Sequence, residues 1–186
     1  MVAGLSERYI ALLRGINVGR ARRVDMADLR ALVAGLGYSD VRTLLNSGNL
    51  LFDAAGTNST EASARIEQAL NARLHVPAQV LVLIAAELAA VAAENPLTGI
   101  ASDPSRLMVT FHSGLVDSGR LERLLQQDWS PETLALGQHA AYLWCPAGFI
   151  KSRLARAAER ALADSLATTR NWATVLKLDA LAKVQA

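Results

Sequence analysis

Four short polar motifs hold the residues best suited to chemistry: Arg14-Gly15-Ile16-Asn17-Val18-Gly19, Asn46-Ser47-Gly48-Asn49, Lys151-Ser152-Arg153 and Arg170-Asn171-Trp172. Each sets charged or amide groups where an apolar run gives way to a turn or helix. Arg presents a rigid fork of donors that matches phosphate or carboxylate, and Asn both donates and accepts. Gly15 and Gly19 let the first loop bend and bring backbone N–H groups toward a ligand. Lys151-Ser152-Arg153 reads as a helix start, where unpaired N–H groups and a partial positive charge favour an anion. The implied chemistry is anion binding. Arg14 and Arg170 would contact the anion and Asn17, Asn46, Asn49 and Asn171 would orient it, with Ser47 and Lys151 also in the site. Each motif also has a purely structural reading. Asn17 can bond backbone, Asn46 to Asn49 can be turn chemistry, and Trp172 can pack into a core rather than stack on a ring.

Catalytic readings have less behind them. The chain is not a P-loop protein, since GxxxxGK[ST] is absent, and Ser47 lies in NSGN rather than the GxSxG of a nucleophile elbow. His75, His112 and His139 lack an i, i+4 partner and a carboxylate at ligand spacing, so no metal site and no cofactor are expected. Cys145, beside Trp144 in an apolar run, reads as a buried, inert thiol. Asp25 and Asp28 are explained by helix capping.

The 19 basic and 17 acidic residues nearly cancel, so overall charge does not point to nucleic acid. Distribution says more. Residues 14–23 carry four Arg and no acid, and residues 151–177 carry six cations against two acids. Each stretch is thus +4, which leaves the rest of the chain at −6 for a total of +2. Such patches hold anions locally. A single Cys rules out an intrachain disulfide and suits a reducing, cytoplasmic setting. The first residues lack the pattern of a signal peptide. The longest apolar tract, residues 80–86, falls far short of the ~20 residues of a membrane helix, so no membrane association is expected.

Periodicity supplies the elements that would position these groups. Residues 9–13 form a continuous apolar run read as a strand with both faces covered. Asp25 caps a helix with the stripe Met26, Leu29, Leu32, Val33 and Leu36, closed by Gly35 and Gly37. Residues 41–45 and 49–52 flank a turn as a hairpin. Ser59 or Thr60 starts a second helix through Ala62, Ile66, Ala69, Leu70 and Leu74. A strand over 79–84 and an Ala-rich helix over 86–94 follow. Residues 95–105 read as a linker, after which the order repeats. A strand spans 107–112 and a helix 117–127, through Leu121, Leu124 and Leu125. Paired strands over 133–136 and 140–145 come next, then a helix capped by Ser152, a brief strand over 165–168 and a closing helix over 171–183. That last helix is expected to be capped by Thr168 or Thr169 and to turn Trp172, Val175, Leu176 and Ala182 inward. This predicts an α+β chain of two tandem ferredoxin-like β-α-β-β-α-β units, each with an added C-terminal helix, over residues 1–97 and 104–186.

The stretches YIALLRGINVG, VDMADLRALVAGLGYSDVRTLLNSGNLLF, KSRL and TTRNWATVLKL, in that order, resemble a bacterial family of unknown function, number 1697 of the domain-of-unknown-function series. The resemblance runs over essentially the whole chain. It implies an α+β, ferredoxin-like architecture and no established activity. Members commonly carry Gln where this chain has Asn46, and Lys near Arg23. Both differences keep an amide or a cation.

The leading expectation is a binding protein that holds a nucleotide, a phosphate compound or a nucleic-acid backbone in a polar cleft between its halves. A hydrolase or transferase using the same cleft, with Lys151 or Lys177 as electrophile, and a scaffold without ligand are the alternatives. RNA binding by stacking on the sheet is disfavoured. The relevant strand reads GNLLFDA, with Phe52 its sole aromatic, where an RNA-recognition module needs several. A homodimer stays open.

Overall fold

A computed structural model describes residues 6–17, 23–113 and 118–184. The segment 18–22, which completes the first motif and includes Gly19, lies outside the described residues. The chain runs β1 (Glu7–Arg14), α1 (Met26–Ala34), β2 (Ser39–Leu44), β3 (Asn49–Ala54), α2 (Ser59–Leu74), β4 (Gln79–Ile84) and α3 (Ala85–Glu94). The order then repeats as β5 (Leu107–His112), α4 (Ser118–Leu125), β6 (Thr133–Leu136), β7 (Ala140–Trp144), α5 (Arg153–Ala161), β8 (Ala167–Asn171) and α6 (Trp172–Ala182). The strands form two four-stranded antiparallel sheets, ordered β2-β3-β1-β4 and β6-β7-β5-β8. Both orders are those of a split βαβ unit, so the fold is α+β with two similar halves.

The chain divides into two compact units. One comprises residues up to Leu88 together with Leu178 onward, and the other is Ala89–Lys177. The changes of unit fall inside α3 and inside α6, and the segment 95–105 lies wholly within the second unit. There Asn95 is buried and its Oδ1 accepts the Leu97 N–H at 3.0 Å.

In the first unit, alternate residues of β1, β3 and β4 (Tyr9, Ala11, Leu13; Leu50, Phe52; Val80, Val82) join Leu29, Leu32 and Val33 of α1 and Ala62, Ile66, Ala69 and Leu70 of α2 in one apolar core. Phe52 is stacked between Tyr9 and Tyr38, at 5.5 and 4.6 Å between ring centroids. No aromatic of β1 or β3 is exposed, which removes the stacking platform of an RNA-recognition sheet. Ile10, Leu12, Leu51 and Leu81, on the opposite face, are buried as well. In the second unit Leu121 and Leu124 of α4 and Leu154, Ala155 and Ala158 of α5 pack on Ala141 and Leu143. Two residues expected inward are not: Leu125 and Leu176 are exposed, and Leu178 takes the buried place on α6.

Local chemistry explains the element ends. Asp25 caps α1 as expected, its carboxylate accepting from Ala27 N–H. α2 starts at Ser59, as expected, and its cap is Asn58, the residue in extended conformation whose Oδ1 accepts the Glu61 N–H. The last strand lies later than expected. Thr168 and Thr169 are β-branched and sit in β8, where the Thr169 hydroxyl meets that of Thr110 at 2.9 Å. α6 therefore starts at Trp172, and Asn171 replaces Thr168 or Thr169 as its cap by accepting the Thr174 N–H at 2.9 Å.

Arg8 ties the end of the described chain to β1. Its guanidinium grips Asp53 with two bonds of 2.7 and 2.9 Å, reaches Asp40, and donates to the carbonyls of Val184 and, more weakly, Leu181. Asp40, where β2 shifts register, also accepts from Arg42 at 2.8 Å. Burial works to raise the Asp40 carboxyl, but the bonds and charges of Arg42 and Arg8 outweigh it and hold the group below its ordinary range. A depressed carboxylate stabilises the fold above its unfolded pKa of about 4 and loses that contribution as pH falls below it. Arg8→Met is expected to cost about 1–3 kcal/mol at pH 7. The gap from the parent should narrow below about pH 4, as read from urea midpoints across pH. A gap that widens in acid contradicts this account.

Candidate functional site

The loop after β1 and the β2–β3 turn form one joint. Asn17 has a left-handed backbone, with φ 54°, which Asn adopts more readily than most residues. Its side-chain N–H groups donate to the carbonyls of Val24 at 3.0 Å and Asn46 at 2.7 Å, and its Oδ1 accepts the Val24 N–H at 2.8 Å. One amide thereby closes the loop and ties it to the hairpin. Asn49 is fully buried and donates to the Leu44 carbonyl and the Ser47 hydroxyl, both at 2.9 Å. The Leu13 N–H donates to the Gly48 carbonyl at 2.8 Å, which holds the turn against β1.

Beside this joint lies an open groove of about 650 Å³ lined by Asn17, Arg23, Asp25, Arg30 and Asn46, among others. Two guanidiniums reach it. Arg30 uses one Nη on the Thr43 hydroxyl at 2.7 Å, and Arg23 is exposed. Asp25, the one carboxylate among the described lining residues, accepts the Ala27 N–H of its own helix. Arg14 is not part of this lining. It is exposed and reaches its register partner Gln79 at 3.4 Å. Sequence reading placed Arg23 in a basic run but did not single it out, and it missed Arg30. The available signal was that Arg30 stands off the apolar stripe of α1, one residue after the cap's first turn.

In the second unit the expected anion site at the start of α5 is closed by the chain itself. The buried Ser152 hydroxyl accepts the Ala155 N–H at 2.8 Å, and the Glu132 carboxylate accepts the Leu154 N–H at 2.9 Å. Glu132 supplies the negative charge that the helix dipole favours. Lys151 is exposed at the end of a short 3-10 helix, Phe149–Lys151. Cys145 is buried and its Sγ lies 3.4 Å from the Ser152 hydroxyl. Burial raises the thiol, against a smaller opposing effect of that contact, so it is poorly nucleophilic. Arg170 is buried in β8, where it donates to the Thr168 hydroxyl at 2.8 Å and the Thr169 carbonyl at 2.9 Å. Burial pulls its pKa down to about 10. Asn171 caps α6, and Trp172 is buried.

Within the first unit, then, Asn17, Asn46, Ser47 and Asn49 come together. Within the second, Lys151 is on the surface while Arg170 is inside. No group of three His, Cys, Asp or Glu side chains that could hold a metal ion occurs among the described residues.

A family model described as a protein of unknown function, DUF1697, matches residues 6–142, through both hairpins. The chain belongs to this family. For DUF1697 no reaction or ligand accompanies the description, so membership fixes kinship and leaves chemistry to the residues. Among solved structures, a conserved bacterial protein of Streptococcus pneumoniae, SP0830, is similar with a TM-score of 0.73 and 21% identity. The likeness covers 96% of this chain and 100% of that one. At that identity it shows the fold of this chain and nothing more. No curated protein matches the sequence.

Proposed function

We propose that the first unit binds a small phosphate-bearing anion in the groove beside α1, with Arg23 and Arg30 contacting the anion and Asn46 orienting it. The observation that supports this reading is the pair of guanidiniums on an open groove where, among the described lining residues, Asp25 is the one carboxylate and accepts the Ala27 N–H of its own helix. The reading keeps the anion class and replaces Arg14 and Arg170 as the contacting cations. It treats the protein as a cytoplasmic binding protein rather than an enzyme, and the described lining residues include no acid–base pair. Among the described residues no helix is long and apolar enough to cross a membrane.

A second, structural reading is favoured for Asn17 and Asn49 by one observation: their side chains bond turn and loop backbone. Asn17 forms part of the groove's wall and Asn49 holds the turn beneath it, neither needing a ligand.

Inorganic phosphate at 100 times its Kd should add about 2.7 kcal/mol of stability and raise Tm by roughly 5–10 °C. The Arg23→Gln/Arg30→Gln double variant should lose the shift in a thermal melt, and Arg14→Ala should keep it. A shift that survives the double variant, or none in the parent across phosphate compounds, rules the reading out.

A further inference from the structure

The edge strands of the two sheets are β2 and β4 in the first and β6 and β8 in the second. An edge offers unpaired N–H and C=O groups to any other strand, and proteins guard against this. At β4, Glu67 accepts the Val80 N–H at 2.7 Å, Ser63 donates to the Val80 carbonyl, and Glu87 accepts the Ile84 N–H at 3.0 Å. At β8 the Arg170 guanidinium donates to the Thr169 carbonyl. β2 shifts register at Asp40, which pairs with Arg8 and Arg42. β6 has none of these guards.

The ladder fixes which groups β6 leaves open. The Gly137 N–H donates to the Ala140 carbonyl at 2.8 Å, so antiparallel alternation turns the backbone groups of Thr133 and Ala135 toward β7 and those of Leu134 and Leu136 away from it. Among the described residues, nothing bonds the N–H or C=O of Leu134 or Leu136. The strand, Thr-Leu-Ala-Leu, carries no charge and no Pro. The carboxylates just before it are spent on backbone: Asp128 accepts the Ser130 N–H and Glu132 the Leu154 N–H, each at 2.9 Å. Beside the open edge, Leu125 ends α4 48% exposed, although it continues that helix's apolar stripe. It lines one hollow with Trp129, Thr133 and Leu134.

We infer that β6 is the contact surface for a second copy of this chain, whose own β6 pairs with it antiparallel across a two-fold axis at Ala135. The strand is self-complementary about that residue. The axis sets Leu134 opposite the partner's Leu136 and Leu136 opposite the partner's Leu134, so every open N–H and C=O finds a mate. Ala135 then meets its own copy at the closer spacing of a non-hydrogen-bonded pair, about 4.5 Å between Cα atoms, which a methyl side chain suits. A slip of one residue sets Leu134 opposite Ala135, whose groups already serve β7. The ladder also ends cleanly, because the Glu132 N–H is given to the Trp129 carbonyl at 2.9 Å. The Leu134 and Leu136 side chains lie on the face where α4 packs, so each cross-strand Leu pair extends that apolar layer, with Leu125 on its flank. The self-match selects a second copy over a foreign strand, since β6 satisfies itself with no other sequence. A stable dimer buries about 800 Å² on each partner. An edge of four residues with one helix end is smaller, so the association belongs in the micromolar range.

Sedimentation equilibrium on the full chain should show a monomer–dimer exchange in that range, little changed by salt because the strand is uncharged. Leu125→Lys should weaken it at least tenfold while leaving the Tm of the monomer unchanged, since the side chain is exposed. Oxidation tests the register, with the native Cys145 buried and silent. Ala135→Cys brings two thiols within disulfide reach and should link two chains, whereas Thr133→Cys leaves them roughly 13 Å apart along the strands and should not. A chain that stays monomeric, a dimer untouched by Leu125→Lys, a dimer that Ala135→Cys does not link, or equal linking by Thr133→Cys each overturns the inference. A monomer that instead binds an unrelated extended peptide at β6 overturns it in favour of a foreign strand.

Discussion

Gly48→Ala should lower the stability of the protein by about 3–4 kcal/mol, the largest effect expected of any single methyl group here. Two causes act together. Gly48 has φ 75°, a left-handed conformation that costs an Ala roughly 1 kcal/mol. A Cβ there would also lie 2.8 Å from both Leu13 Cβ and Ile16 Cδ1. Ile16 can swing its terminal carbon away. Leu13 Cβ cannot move without β1, and the Leu13 N–H bond to the Gly48 carbonyl pins the two backbones together. Gly37 is the control, because its φ is 88° but nothing lies within 4 Å of an added Cβ. Gly37→Ala should cost only about 1 kcal/mol. Urea denaturation of the two variants isolates the steric part. Equal losses would show that the turn does not press on β1.

Asn17→Ala should cost about 3 kcal/mol, by a different route. The change removes both donors and the acceptor of one amide, and Val24, which is buried, loses the partners of its N–H and its carbonyl. Asn17→Gly restores the backbone preference without the bonds and should recover about 1 kcal/mol. Asn17→Asp keeps the acceptor for Val24 N–H but presents a charge to two carbonyls, so it should not rescue. A loss below about 1 kcal/mol for Asn17→Ala, from equilibrium denaturation midpoints, would mean that water replaces the amide at no cost and that the joint is looser than its distances imply. Because Asn17 bonds the carbonyl of Asn46, two residues before Gly48, the two variants should be non-additive in a double-mutant cycle.

The fold was largely legible in the sequence wherever an element buries apolar residues, on one face as a period or on both as a continuous run. Strands 79–84, 107–112 and 133–136 match the observed bounds, and the stripe Leu29, Leu32, Val33 marks the buried side of α1. Reading failed where a strand is polar. ATTRN offers no alternation of apolar residues, and Thr168 and Thr169 looked like caps until pairing with β5 showed them as strand. The site was legible by residue type but not by partner. That Asn17 and Asn49 serve turns follows from their chemistry, yet the carbonyls they reach are set by the meeting of two loops. The start of α5 looked open to an anion because Glu132, which fills it, lies 22 residues earlier. Arg30 escaped notice for the same reason: a cation on a solvent face has meaning only once its groove exists.

The recruitment of Leu178 and the residues after it into the first compact unit sets the order of events during synthesis. β1 carries Arg8 out of the ribosome 173 and 176 residues ahead of the Leu181 and Val184 carbonyls that it grips. Until those residues emerge Arg8 bonds Asp53 and Asp40 of its own half but lacks the two later carbonyls, and the part of the first unit supplied by Leu178 onward is missing. A chain cut off after Lys177 should resist protease over residues 89–177 while its first unit stays the more readily cleaved.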